Sequence, residues 1–276
     1  MKTASETAVR ERYTAAAQTK EDALCCAIDY DAKYLDAIPK EVIERDYGCG
    51  DPSKHIQIND TVLDLGSGTG KICFIAAQIV GPKGKVIGVD MTDDMLALAR
   101  RNSPAVAKNI GYNNVEFRKG RIQDLALDLE QFDETLTDHS LSGLKGYLEA
   151  EQIAARLRSE SPMISSNSID VIVSNCVLNL IDSAAKEQMF AELYRVLKPG
   201  GRAVISDITS SDDVSAAMQQ DPELWSGCIS GALREDRFLR AFVDNGFDTV
   251  RIRDRAKKPW RTVNEIQFRS VTVEAV

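Results

Sequence analysis

The stretch Val62-Leu63-Asp64-Leu65-Gly66-Ser67-Gly68-Thr69-Gly70 decides the fold. Val62, Leu63 and Leu65 form an apolar run that reads as a short buried strand. The run stops at alternating glycines, and residues 71–80 continue with helical spacing. A strand, a glycine turn and a helix make the first half of a nucleotide-binding βαβ unit. The glycines let the backbone approach a ligand closely, and the helix start offers free N–H groups. Spacing excludes two ligand classes. A P-loop needs four residues between its glycines and a Ser or Thr after the lysine, whereas here Ile72 follows Lys71. The dinucleotide pattern would place its third glycine at position 71, which is Lys71.

Outward from the turn the pattern repeats. Lys85-Val86-Ile87-Gly88-Val89-Asp90 reads as a second strand ending in an acid about 20 residues past the turn, where an acidic residue takes the ribose hydroxyls of a nucleoside cofactor. A helix follows over 94–108, and Val115-Glu116-Phe117-Arg118 reads as a third strand. Gly120-Arg121-Ile122-Gln123-Asp124 then falls where this fold reaches adenine. The fourth strand, 168–174, runs into Asn175-Cys176-Val177, at the switch point where open α/β sheets bind ligands. Between them, the connection over 125–167 is longer than the fold requires. It begins with acids (Asp128, Glu130, Asp133, Glu134, Asp138) and continues as a helix over 144–158 with Leu148, Ile153 and Leu157 apolar. It reads as a surface insertion, with a lid or an oligomer contact as the functional alternative.

A helix over 186–197 ends at Lys198-Pro199-Gly200-Gly201, and the fifth strand follows over 202–207. The loop 211–233 contains Trp225-Ser226-Gly227-Cys228-Ile229-Ser230-Gly231-Ala232 and lies on the ligand side. A helix over 234–244 and two strands, around 248–253 and 266–274, complete the chain. At the other end, 4–19 reads as a helix with Val9, Tyr13 and Ala16 or Ala17 on one side. Tyr13 either faces the cofactor or packs on the sheet. Pro39 opens a short helix over 40–46, and the glycines around Cys49 suggest a bent, exposed loop.

The net charge of −8 argues against a phosphate-backbone binder and favours a small or neutral substrate. No stretch approaches a membrane span and 1–20 lacks a signal-peptide core, so the expectation is a cytoplasmic protein with neither nucleic-acid nor membrane partners. With His55 and His139 the only histidines, an imidazole base and a zinc site have little support. The six cysteines (25, 26, 49, 73, 176, 228) show no C-x-x-C pair and no disulfide framework. Cys73, one turn into the first core helix, reads as structural. Cys49, Cys176 and Cys228 stand on separate loops, two of them expected around one ligand. An all-sulfur trio selects a soft acceptor, and three sulfurs with an open face suit a pyramidal trivalent ion with a lone pair, such as As(III).

The pattern D-x-G-x-G-x-G at Asp64–Gly70 resembles motif I of the class I S-adenosyl-L-methionine (SAM) methyltransferases. The run from Leu197 to Arg202 resembles a turn of the same superfamily. Tyr47-Gly48-Cys49-Gly50, Ser174-Asn175-Cys176-Val177 and Gly227 through Leu233 resemble the cysteine motifs of the arsenite SAM methyltransferases. Asp90-Met91-Thr92 and Phe268 through Val273 are similar as well, and the resemblance spans roughly 9–275.

The resemblance implies a class I methyltransferase, Rossmann-like, α/β, with a seven-stranded sheet whose last strand is antiparallel and with helices on both faces. It carries an N-terminal cap and a small C-terminal addition. The division would be 1–60 (helix and cysteine-bearing cap), 61–208 (SAM-binding core, insertion about 125–167) and 209–276 (arsenic loop, last helix and strands). SAM would be bound by Asp64, Gly66, Ser67, Gly68, Gly70, Asp90, Met91, Arg121, Ile122 and Asn175. Cys49, Cys176 and Cys228 would hold As(III), arriving as arsenite or its thiol conjugates, for in-line attack on the methyl carbon. The SAM sulfonium would help keep nearby thiols ionised. An N-terminal cysteine, Cys26 or its neighbour Cys25, would pair with Cys49 in the redox step, and glutathione or thioredoxin would be the reductant. Two other readings compete: methylation of another small metabolite, for which Tyr47 is a candidate base, and metalloid binding without turnover. The chain ends at Val276, short of the C-terminal region of the family's longer members, and its insertion is longer than expected.

Overall fold

A computed structural model describes residues 2–21, 28, 30–45, 47–137 and 142–276, with side chains from Glu6 onward. The apolar run forms β1 (Thr61–Leu65) at the middle of the sheet. It pairs in parallel with β2 (Lys85–Asp90) on one side and β4 (Ile169–Asn175) on the other. β3 (Val115–Lys119) extends the sheet beyond β2, and β5 (Leu197–Ser210) beyond β4. β6 (Val250–Arg255) and β8 (Ile266–Ala275) complete the order β3-β2-β1-β4-β5-β8-β6, with β8 antiparallel to both neighbours. The expected antiparallel last strand is therefore inserted next to β5.

A short β7 (Arg261–Val263) also pairs with β8. The sequence reading does not contain it. Its two-residue turn is Asn264-Glu265, both in left-handed backbone (φ 48° and 67°), so the usual glycine signal of such a hairpin is missing. The start of β5 differs too. The Lys198–Gly201 turn lies within it as a bulge, where Leu197 pairs with Ile169 and Arg202 with Val171.

Alternation along β1 divides the core. Val62, with Val86, Val171, Val173 and Val204, faces α4 (Lys71–Val80) and α5 (Asp93–Ile110). Leu63 and Leu65 face the other way, into a core shared with α8 (Lys186–Val196) and α11 (Glu235–Asp244). Both faces are covered, which is why the strand is a nearly unbroken apolar run. Phe190 and Phe242 meet edge-on at 4.9 Å in the second core.

The N-terminal helix α1 (Lys2–Gln18) lies over α5 and over α10 (Pro222–Ser226). α2 (Ala32–Leu35) and α3 (Lys40–Glu44) lead into the Cys49 loop, with Pro39 as the residue that caps α3. The insertion holds two helices. α6 (Leu129–Thr137) was hidden among the acids, and its Leu129, Phe132 and Leu136 pack on Ile153, Ala154 and Leu157 of α7 (Gly143–Glu160). Leu148, expected on the apolar side, is exposed, because α6 covers only the later stripe of α7. Segment 211–233 also folds locally, as α9 (Ala216–Gln219) and α10. None of the described helices is long and apolar enough to cross a membrane.

Candidate functional site

The glycine turn bends back on the second strand. Gly66 and Ser67 donate their N–H groups to the Val89 carbonyl at 2.8 and 3.0 Å, and Gly68 donates to the Asp90 carboxylate at 2.9 Å. Gly68 has φ +52°, and a Cβ there would meet nothing within 4 Å, so this peptide faces open space. That space is a cavity walled by the turn, by Val9 and Tyr13 of α1, by Ile122, and by Asn175, Cys176 and Val177 at the end of β4. Asp64 and Asp90 are among the carboxylates that border it. Asp64 is 2 % exposed and accepts from the Cys73 thiol at 3.2 Å. Asp90, whose second oxygen accepts from the Thr92 N–H at 2.8 Å, has a pKa raised by burial. Ser67 Oγ is buried on the cavity wall with no hydrogen-bond partner among the described residues.

Of the residues expected at the cofactor, Asp64, Gly66, Ser67, Gly68, Asp90, Met91, Ile122 and Asn175 line this cavity. Gly70 and Arg121 do not. Gly70 starts α4 at φ +89°, where a Cβ would lie 2.7 Å from Phe117, so it serves the packing of helix on sheet. Arg121 pairs instead with Glu6 of α1 at 2.8 Å. Tyr13 does line the cavity, which favours the first of its two readings. Glu6, Thr92 and Val177 line it as well. Thr92 and Val177 each close a motif quoted above and were the most findable of these; Glu6 carries no local signal.

The three cysteines share one buried cluster, and of the three it is Cys176 that lines the cavity. Cys49 and Cys176 have their sulfurs within 4.8 Å of each other and of an Asp207 oxygen. Cys228 is not part of that trio, and its thiol donates to the Cys176 carbonyl at 3.3 Å. Cys176 is the centre: hydrogen bonds with the thiols of Cys228 and Cys49, and burial after them, push its pKa well above the ordinary value. Burial pushes Cys49 up. All three are buried, which corrects the expectation of an exposed Cys49 loop. The glycines flanking Cys49 allow close packing rather than exposure, since a Cβ at Gly50 would lie 2.6 Å from Ser206 Oγ. Tyr13 Oη stands 4.0 Å from Cys228 Sγ, and burial, ahead of the neighbouring thiols, raises its pKa well above normal. Cys26 and Cys25 lie outside the described residues. Cys73 is fully buried against Asp64, as the structural reading expects.

Side chains from distant elements hold the loops in place. Asn175 accepts from the N–H groups of Cys49 and Gly50 at 2.8 and 3.0 Å, and donates to the Gly50 carbonyl at 2.7 Å and to Tyr30 Oη at 3.0 Å. Ser270 donates to the Cys49 carbonyl. Asp207 accepts from the Leu178 N–H at 2.8 Å, and burial raises its pKa to about 6. Asn179 donates to the Cys228 carbonyl at 3.3 Å, and Trp225 donates to the Leu180 carbonyl at 3.1 Å. Tyr47 donates to the Ala16 carbonyl and accepts from the Glu21 N–H, both at 3.0 Å, so its hydroxyl is committed to anchoring α1.

A Cβ at Gly48 would lie 2.2 Å from Asn175 Nδ2. Gly48→Ala is therefore expected to displace the Asn175 amide and leave buried polar groups unpaired, a loss of about 2–3 kcal/mol. Chemical denaturation measures it, and a change below about 0.5 kcal/mol would remove Asn175 as the tie of the Cys49 loop.

The methyltransferase domain family matches residues 56–246. The chain is 35% identical over 269 residues to the arsenite methyltransferase of Halobacterium salinarum, covering 88% of this chain and 57% of that protein. It is 33% identical to the human arsenite methyltransferase over 72% of this chain and 44% of the relative. The chain thus spans about half the length of the curated relatives it matches. Among solved structures it resembles the arsenic(III) S-adenosylmethionine methyltransferase of Chlamydomonas reinhardtii. The TM-score is 0.68 at 30% identity, over 88% of this chain and 72% of that one.

Proposed function

This chain belongs to the arsenite S-adenosylmethionine methyltransferase family, and from that premise we propose that it methylates trivalent arsenic held by Cys49, Cys176 and Cys228. The observation that carries the reading is the clustering of three buried thiols around Cys176, which itself lines the cavity that the glycine turn borders. The cofactor is SAM. The cavity fits it through two carboxylates, a peptide open to close approach at Gly68, and the unpartnered Ser67 hydroxyl.

Bound SAM supplies a methyl carbon on a sulfonium sulfur. The arsenic lone pair forms the As–C bond, the C–S pair stays on sulfur, and arsenic passes from trivalent to pentavalent. The chain's own part is positioning. The thiols exchange for arsenic's hydroxyls and aim the lone pair along the cavity, while burial keeps water from competing. No general base is required, which fits a cavity with no histidine among its described lining residues and a committed Tyr47 hydroxyl. Two electrons must return to arsenic after transfer. Cys26 and Cys49 closing to a disulfide would supply them, and an external thiol reductant, glutathione or thioredoxin, would reopen it. The boundaries 1–60, 61–208 and 209–276 belong to the same proposal, as do a cytoplasmic setting and a role in arsenic detoxification.

The test is S-adenosylhomocysteine formation on adding arsenite and a thiol, with arsenic speciation by chromatography over time. Expected are arsenite-dependent S-adenosylhomocysteine and methylated arsenic in equal amounts at the first turnover. Cofactor binding without product would leave a metalloid-binding protein, and S-adenosylhomocysteine formed only with a metabolite extract would favour another methyl acceptor.

A further inference from the structure

Lys186 is the first residue of α8 and is 6 % exposed. A buried ammonium is costly unless paired and hydrogen-bonded. Its Nζ donates to the Leu178 carbonyl at 2.7 Å and to the Gly231 carbonyl at 2.9 Å. Leu178 follows closely on Cys176, and Gly231 closely on Cys228. One side chain thus ties together the loops that bear two of the three thiols. Met189, Phe190 and Leu193 fix α8 in the sheet core, so the tie has a rigid anchor.

Cys176 touches both other thiols, but the two pairs are held by different groups. Cys49 and Cys176 are neighbours within 4.8 Å, held by Asn175 and by the sheet itself, since the Cys176 N–H donates to the Ser206 carbonyl at 2.8 Å. Cys228 comes from a separate segment. Cys176 and Cys228 also share a left-handed backbone, φ 64° and 61°, which a residue with a Cβ keeps only when its surroundings over-determine it. The Gly231 side is equally constrained, because a Cβ there would lie 1.8 Å from the Asn179 carbonyl oxygen.

We propose that Lys186 is the positioning residue that sets the separation of Cys176 and Cys228, and so makes the site a three-thiol rather than a two-thiol arsenic site. The ammonium offers donors in more than one direction at once, so both carbonyls are met from one rigid point. Asp207, which contacts the Leu178 N–H from β5, supplies the opposing charge. The inference rests on the proposed function and adds a residue outside the cysteine motifs.

The experiment compares two arsenicals by equilibrium dialysis on the whole chain, with arsenic measured elementally. Arsenite exchanges three hydroxyls and takes three thiols; phenylarsine oxide has two valences free and takes two. Lys186→Met is expected to weaken arsenite binding at least about tenfold, and phenylarsine oxide binding less than about twofold, because Asn175 and the Ser206 carbonyl still hold the Cys49–Cys176 pair. A structural role alone would leave the ratio of the two affinities unmoved. Equal losses for both arsenicals, or none for either, would overturn the inference. If Lys186→Met does not fold, Lys186→Arg keeps the charge but sets its donors farther out, and the same selective loss is expected. Failure of both to fold would assign Lys186 to the core and also overturn it. Failure of the wild-type chain to bind arsenite would instead sink the proposed function, and is separately visible.

Discussion

Cys176→Ser is expected to lower arsenite methylation by at least about a thousandfold while S-adenosylhomocysteine binds within about threefold of wild type. Cys176 is the one thiol in contact with both others, and its neighbours account for most of the rise in its pKa. Serine keeps the volume and the hydrogen-bonding backbone, so the β4 end should persist. It replaces a soft sulfur with a hard oxygen that binds As(III) weakly. Loss of the central ligand leaves Cys49 and Cys228 unable to hold arsenic in one orientation, and orientation is what the site contributes. Cys49→Ser and Cys228→Ser remove flanking ligands and should fall in the same direction by less. Single-turnover kinetics with chromatographic detection separates the outcomes. Cys176→Ser retaining more than about a tenth of wild-type turnover would end the three-thiolate reading.

The legible part of the protein is the part in which local pattern and tertiary role coincide. β1 is apolar because both its faces are covered, and the glycines after it sit where the backbone needs positive φ. That topology also pointed to most of the cavity lining beside the turn. Gly70 and Arg121 show where topology stops helping: one position packs a helix on the sheet, and the other swings to an ion pair with α1. The burial of Cys49 was not legible, since the residues that cover it come from three distant segments, at Tyr30, Asn175 and Ser270. Lys186 was invisible for the same reason. A lysine opening an amphipathic helix reads as solvated, and only the loops folding back over it make it a buried tie. α6 was missed because its acids drew the eye from an apolar spacing at 129, 132 and 136.

The raised thiols lead to a contrast between two soft ligands. Arsenite affinity is expected to stay flat from about pH 6.5 to 7.5, while Cd2+ affinity climbs about a hundredfold as Cys49 and Cys176 each give up a proton to it. The window lies above the Asp207 value of about 6 and below the Lys186 value of about 8, so neither group titrates through its midpoint there. Burial raises Cys49, and the adjoining thiols of Cys228 and Cys49 raise Cys176, so both remain protonated throughout. Arsenite arrives as a neutral hydroxide. Each S–As bond forms as the thiol proton leaves with a hydroxyl as water, so no proton reaches solvent and pH has no lever. Cd2+ brings no hydroxyl, and every thiol it takes must release a proton. Its affinity therefore rises with pH as long as the thiols start protonated, and raised pKa values extend that rise beyond the ordinary thiol value of about 8.5. A Cd2+ profile already level at pH 7 would mean that the thiols are ionised before binding. Arsenite affinity rising tenfold across the same interval would mean that arsenic reaches the thiols by a route other than exchange of hydroxyl for sulfur. Isothermal titration in two buffers of different ionisation enthalpy measures both proton counts directly.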